Sequence, residues 1–363
     1  MTEKEYLYLL SHTTGIGPVT IHNCKKHFHS FQDVWKASEK ALEESGLFTP
    51  NRLEALKTCK KMETKYRQEY ESLSGDKIRY ITFMEDEYPN RLQYFKDKPA
   101  GLFVKGKLPD DDTPTVAIVG ARNCTPYGRE VAEYFARELA RAGVSVISGL
   151  AVGVDGAAHK GCLEAGGETY AVLGCGVNIC YPQENFRLFE AMEEHGGIIS
   201  ECMPGTKPMQ MNFPMRNRII SGLSDAVIIT EAREKSGSLI TGDLALEQGK
   251  EVFAVPGRIN DTLSAGCNQL IRMGAAICLG PEDVIQFFGM KYRKKIGENK
   301  KSEKALAKKE KLVYSFFDSR PKSLEEIVTF CQMSVSEAME ILMSLEMNGL
   351  IRSEGNQYYC RKM

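Results

Sequence analysis

Between residues 116 and 279, short apolar runs alternate with amphipathic stretches, and this alternation restricts the fold more than any other feature of the chain. The runs are Val116–Val119, Val144–Ser148, Thr169–Leu173, Gly197–Ser200, Asp225–Thr230, Glu251–Val255 and Ala276–Leu279. Helical stretches at 126–142, 153–165, 183–194, 215–222, 239–248 and 266–273 separate them. A continuous apolar run is the pattern of a strand buried on both faces, and parallel strands need a crossover such as a helix between them. The expected class is therefore α/β, a doubly wound, mostly parallel, Rossmann-like sheet. In such sheets ligands collect outside the carboxyl ends of the strands.

The first unit of this pattern is the clearest. Val116 to Val119 ends at Gly120, Thr125 is placed as an N-cap, and Pro126 suits a first helical turn. Val131, Phe135 and Leu139 fall on one helical face, and Gly143 fits a left-handed stop. The G-x-G-x-x-G fingerprint is absent, because Arg122 stands where the second Gly would be. A pyrophosphate lying tight on the backbone is disfavoured, and a cation facing an anion is favoured.

Flanking segments differ in kind. Residues 1–75 read as a separate helical domain. Thr14-Gly15-Ile16-Gly17-Pro18 resembles a helix-hairpin-helix turn, which serves either a DNA phosphate or only packing or protein contacts. Residues 76–290 form the main domain, with Ile78–Phe83 and Leu102–Gly106 as strands added at a sheet edge. Residues 291–311 are a Lys-rich linker. Residues 312–363 follow the order helix, turn, helix, hairpin, as in a winged helix. The helix after Ser334 carries Glu337, Glu340 and Glu346 and no Lys or Arg, which suits protein contact or packing better than phosphates.

Composition sets limits. The 363 residues carry a net charge of -1, so the chain is not a globally basic nucleic-acid binder, although a local basic patch is allowed. No apolar run reaches membrane-spanning length and the first residues lack a signal-peptide pattern, so a cytoplasmic protein without membrane contact is expected. Eleven cysteines without a C-x-x-C pair read as reduced, mostly packed thiols, with no metal site.

Four stretches fall at strand ends. They are Gly120-Ala-Arg122; the Gly-rich Ser148-Gly149-Leu-Ala-Val-Gly153-Val-Asp155; Phe213-Pro-Met-Arg216-Asn-Arg218; and Glu231-Ala-Arg233-Glu-Lys235-Ser236-Gly237-Ser238. Cations for phosphates and an aromatic face for a base are the ingredients of single-strand recognition. Arg218 also reads as a structural ion pair near Asp225, Asp155 as a loop or helix tie, and Glu201 as a residue orienting a cation. No nucleophile–base pair is evident, and His159 has no Ser or Cys partner.

At these residues the sequence resembles the bacterial DNA-processing protein A (DprA, or Smf) family, over essentially the whole chain. Val119-Gly-Ala-Arg122, Ser148 to His159, Phe213 to Leu223, Ser236 to Thr241 and Gly266 to Ile271 carry the likeness. It implies an extended Rossmann domain between a SAM-like helical domain and a winged-helix-like domain. It implies a homodimer that binds single-stranded DNA and loads the RecA recombinase during natural transformation, without enzymatic turnover or cofactor. By position, the DNA contacts map to Arg122, Phe213, Arg216, Arg218, Arg233 and Lys235. One departure is Gln210, where some members carry Lys, which leaves Lys207 as the substitute. The segment Gly266–Phe288 is the expected dimer surface. The rival expectation is a phosphoribohydrolase-like enzyme, whose P-G-G-x-G-T-x-x-E loop Ser236–Thr241 echoes without a Glu in register.

Overall fold

The computed structural model of the protein describes residues 1–290, 307–318 and 320–361, and divides the chain into two compact units, Met1–Met290 and Lys291–Met363. Most of the expected Lys-rich linker, residues 291–306, lies outside the described residues.

In the first unit, nine strands make one sheet. They are β1 (Arg79–Thr82), β2 (Gly101–Gly106), β3 (Thr115–Val119), β4 (Ser145–Ser148), β5 (Thr169–Leu173), β6 (Gly196–Ser200), β7 (Ala226–Ile229), β8 (Glu251–Ala254) and β9 (Ala276–Ile277). Their order is β1-β2-β6-β5-β4-β3-β7-β8-β9. β6 through β9 are mutually parallel, and β1 and β2 add an antiparallel edge beside β6. The chain steps outward from β3 to β6, then returns to place β7 on the other side of β3. The switch in direction opens a crevice between the carboxyl ends of β3 and β7.

Period-two side-chain alternation buries both sheet faces. β5 sends Tyr170 and Val172 to one apolar cluster and Ala171 and Leu173 to the other. Ile219, Ile220 and Leu223 of α10 (Asn212–Leu223) and Ala245 of α11 (Gly237–Glu247) close the first cluster. Phe189 and Met192 of α9 (Phe186–Glu194) close the second. The helix after β3, α7 (Pro126–Arg141), begins as its sequence predicts: Thr125 accepts from Gly128 N–H at 3.0 Å and Pro126 fills the first turn. It packs beside α8 (Val154–Glu164).

Six short helices precede the sheet between Glu3 and Ser72 and hold a cluster of their own around Leu7, Phe31, Val34 and Leu56. In the Gly15–Gly17 turn Ile16 is buried while both glycines are exposed, and Arg52 donates to the Gly15 carbonyl at 2.9 Å.

The second unit has its own core around Val313, Ile327, Leu342 and Leu345. A helix at Lys308–Phe316 precedes two others at Leu324–Cys331 and Val335–Met347, and a hairpin pairs Ile351–Gly355 with Tyr358–Arg361. Lys322–Ser323 adds a third strand against that hairpin. This is the winged-helix order.

Candidate functional site

The four strand-end stretches meet at the switch crevice, and each is tied to the next by a specific contact. Ala121 N–H donates to Glu231 O at 2.7 Å, joining the loop after β3 to the end of β7. The Glu231 carboxylate is buried and accepts both the Thr125 N–H, at 2.8 Å, and the Thr125 hydroxyl. A residue just past β7 therefore fixes the cap of the helix that follows β3. Burial pushes the Glu231 carboxyl up from its ordinary pKa, and the Thr125 bonds pull against that rise.

Gly120 and Gly153 bring the first two loops together. Gly153 has φ 82°, and a Cβ there would stand 2.3 Å from Arg122 O and 2.4 Å from Ala121 O. Only glycine permits that approach. Beside it Leu150, fully buried, holds φ 58°, with Asn185 Nδ2 donating to its carbonyl at 2.9 Å. A β-carbon residue held in this region marks a loop whose shape its surroundings impose.

Arg122 is exposed at the mouth, with its guanidinium carbon 5.1 Å from the centroid of the Phe213 ring. The half-buried Phe213 ring stacks in turn on Tyr181, centroids 5.9 Å apart and planes 22° apart. Tyr181 is itself exposed, as are Met211 and Met215 on either side of Phe213. Arg233 and Lys235 are exposed on the segment leading into α11. There Ser236 caps the helix through Ser238 N–H, and the two hydroxyls share a 2.8 Å bond. Asn217 donates to Gly237 O at 3.3 Å and so links α10 to this helix start. The crevice thus presents a cation over an aromatic ring, two further cations and a helix N-terminus. That combination suits phosphates and an unpaired base.

Other predicted contacts stand behind this surface. Arg216 is 7% exposed and donates to the carbonyls of Gly149, at 2.9 Å, and Val172. A Cβ on Gly149 would overlap the Arg216 guanidinium at 2.3 Å, so the glycine makes room for a buried cation. Asp155, also buried, accepts Gly149 N–H at 3.1 Å. Burial raises the Asp155 carboxyl and the neighbouring Arg216 opposes the rise, while burial pulls Arg216 down to about 10. The expectation of Arg216 as an open cation is corrected, since its face of α10 points into the sheet. Arg218 is 5% exposed and pairs with Glu201 and, at 3.4 Å, with Asp97. Glu201 orients a cation as expected, but Asp225 is held by Arg91 at 2.9 Å and not by Arg218. Ser148 is fully buried and donates to Ile118 O at 2.6 Å, so its hydroxyl serves the sheet. Lys207 is exposed.

Sequence reasoning did not single out Tyr181 or assign a role to Glu231. The only signal for Tyr181 was an aromatic a few residues after the Gly-Cys-Gly turn that ends β5. For Glu231 it was an acid at a strand end, next to the strand that feeds the Thr125 cap. Among the described residues no group of three His, Cys, Asp or Glu side chains is arranged to hold a metal ion, and no helix is long and apolar enough to cross a membrane.

Comparison with known proteins agrees with this geometry. Residues 79–289 match the family model for DNA recombination-mediator protein A, and residues 298–357 match the DprA winged helix domain. DNA processing protein DprA of Bacillus subtilis is 44% identical over 210 residues, spanning 58% of this chain and 71% of the relative. Protein Smf of Synechocystis is 30% identical over 99% of both chains. The solved structure of DNA processing protein A from Streptococcus pneumoniae covers 81% of this chain and 99% of its own, with TM-score 0.68 and 33% identity. A structure of DNA processing protein A from Helicobacter pylori, described for its single-stranded DNA binding mode, covers 58% of this chain and 95% of its own, with TM-score 0.52 and 34% identity. With a family model spanning residues 79–289 and a relative spanning 99% of the chain, the chain belongs to the DNA recombination-mediator protein A family of DNA-processing proteins.

Proposed function

We propose that this protein binds single-stranded DNA in the switch crevice, performs no chemical turnover on it, and delivers it to the RecA recombinase during natural transformation. The observation that carries the reading is the exposed Arg122 guanidinium held 5.1 Å over the Phe213 ring, with the exposed cations Arg233 and Lys235 on the segment that leads from β7 into α11. At Arg122 and Phe213 a phosphate meets charge and a base meets a flat face side by side. Duplex bases are already stacked and offer no free face, so the unpaired strand is favoured. The solved relative from Helicobacter pylori, described for its single-stranded DNA binding mode, supports the same ligand. Hand-over to RecA extends the family's recombination role to this chain.

The titratable groups around the crevice support a carrier over an enzyme. Glu231 is committed to the Thr125 cap, Asp155 to the Gly149 amide, and His159 to Thr169. The phosphoribohydrolase alternative needs an acid after the Ser236–Thr241 turn, and Asp243 stands out of register for it. A homodimer is proposed through the β9 edge. Among the described residues β9 pairs only with β8 and its outer edge carries no further strand, and Met273, Ile277, Leu279 and Phe287 are all exposed along it and its flanks.

The test is an electrophoretic shift with oligothymidine and with duplex of equal length over a salt series, alongside an assay for adenine release from AMP. Tighter binding to oligothymidine, falling steeply with salt, is expected, with no adenine released. Equal affinity for both forms, or turnover of AMP, overturns the reading.

A further inference from the structure

In the winged-helix unit, the helix at Val335–Met347 turns one face inward and leaves the other largely exposed, with the Tyr359 hydroxyl 3.8 Å from Met339 Sδ. Ala338, Ile341, Leu342 and Leu345 are buried in the core. On the outer face Val335, Met339, Met343 and Met347 follow one another at i, i+4 spacing and are 56%, 43%, 68% and 84% exposed. Four residues at that interval make an oblique ridge about 18 Å long that shifts about 40° round the helix at each step. Glu340 and Glu346 stand exposed beside it. Glu337 is neutralised by Lys309, whereas Glu346 accepts the Ser353 N–H at 2.9 Å and keeps its charge.

A helix that reads DNA needs cations toward the phosphates, and this face has none. A second copy of the same face brings carboxylate against carboxylate, which repels. An apolar ridge flanked by acids is complementary to an apolar seam flanked by bases. Unbranched methionine side chains adapt to many such seams. We infer that the outer face of this helix docks a basic amphipathic helix of a partner protein. The Met ridge takes the partner's apolar residues, and Glu340 and Glu346 take its Lys or Arg. The surface shares no residue with the DNA crevice, so this inference stands apart from the single-strand reading.

The experiment uses the full chain and a fluorescein-labelled amphipathic helical peptide of Leu and Lys, read by anisotropy. Its Glu-for-Lys counterpart and a scrambled Leu/Lys peptide are the controls. The Leu/Lys helix is expected to bind, and both controls to bind roughly tenfold or more weakly. Met343→Asp should weaken binding by roughly tenfold or more, with the far-UV spectrum, Tm and oligothymidine affinity unchanged. The double variant Glu340→Gln/Glu346→Gln should also weaken it and flatten its salt dependence. Equal binding of the scrambled peptide, or of both variants, overturns the inference. Met343→Asp abolishing self-association in sedimentation would assign the ridge to a second copy, and its abolishing duplex binding would assign the ridge to nucleic acid. Either outcome overturns it as well.

Discussion

Arg122 lies over the ring of Phe213 at 5.1 Å, although the first follows β3 and the second opens the helix after β6. The strand order makes the meeting possible, because both residues leave the sheet at carboxyl ends on the same rim. Tyr181, from the loop after β5, stacks on the same ring. A guanidinium and two aromatic planes are therefore set before any ligand arrives, which spares the entropy of ordering them on binding.

Phe213→Ala should weaken oligothymidine binding by about 1–3 kcal/mol, the range for loss of one stacked base. Arg122→Gln should weaken it across all base compositions and lower the salt slope by about 1, as removal of one phosphate contact does. Anisotropy titrations at four salt concentrations measure both. An unchanged slope in Arg122→Gln would take this side chain off the phosphates.

Gly153→Ala should cost at least about 1–3 kcal/mol, since the φ of 82° strains any β-carbon residue. The new methyl would also press on the Arg122 and Ala121 carbonyls. The loop that aims Arg122 would shift, so oligothymidine affinity should fall together with the urea midpoint. Wild-type behaviour in both measurements would show that the two loops are not braced against each other at Gly153.

Much of this was legible in the sequence, for reasons that also mark the limit. Strands such as Thr169–Leu173 declare themselves because burial on both faces demands an unbroken apolar run. Strand ends are where the crevice must be, so Arg122, Phe213, Arg233 and Lys235 could be placed there without coordinates. The depth of a side chain on α10 could not. Arg216 follows Phe213 by less than one turn, yet one faces the sheet and the other the crevice mouth. Which way each points depends on the rotation of the helix against β5 and on the space left by Gly149. Pairings across the sheet were equally hidden. Glu231 meets Thr125 only because β7 lies beside β3, a neighbour relation that periodicity does not carry. β9 ends at Ile277, short of the expected Leu279, whose side chain is 79% exposed beyond the last strand.

Leu279→Glu should convert a dimer to a monomer in sedimentation velocity while leaving Tm near that of the wild type. A charge placed on an exposed edge costs the fold little but opposes an apolar contact between copies. Ile271 is a poorer probe of the same surface, because it packs against the core and its loss confounds folding with assembly. A Leu279→Glu protein that sediments as the wild type does would place the dimer contact elsewhere.

Arg218→Ala should destabilise the fold by about 3 kcal/mol, because it strands the Glu201 carboxylate in a site where burial already raises its pKa. Adding Glu201→Gln should recover a large part of the loss, since the stranded charge goes with it. Urea midpoints of the two single variants and the double variant measure the coupling. Independent, additive losses would mean the pair does not act as a unit. Oligothymidine affinity per folded molecule should change little, as neither side chain opens onto the crevice mouth.

His159 gives the fold an acid limit. The Thr169 hydroxyl donates its hydrogen bond to Val146 O at 2.9 Å, so His159 Nδ1 is the donor in the 2.7 Å bond between imidazole and hydroxyl. Nε2 is then unprotonated, buried and without a hydrogen-bond partner among the described residues. Burial, with Arg216 nearby, pulls the imidazole down to about 3 from its ordinary 6.5. Below pH 6.5 the unfolded chain takes up a proton that the folded chain refuses. Stability is therefore full above about pH 6.5 and is lost as pH falls toward 3, at about 1.4 kcal/mol per unit. The raised carboxyls of Asp155, Glu201 and Glu231 act in the opposite sense, since their folded forms bind protons more readily than the unfolded chain does. The comparison with His159→Asn isolates the imidazole, because Asn keeps a donor toward Thr169 and has nothing to titrate. Between pH 7 and pH 5 the wild type should lose about 2 kcal/mol more than the variant in urea unfolding. Equal losses in the two proteins would remove His159 as the cause of acid sensitivity.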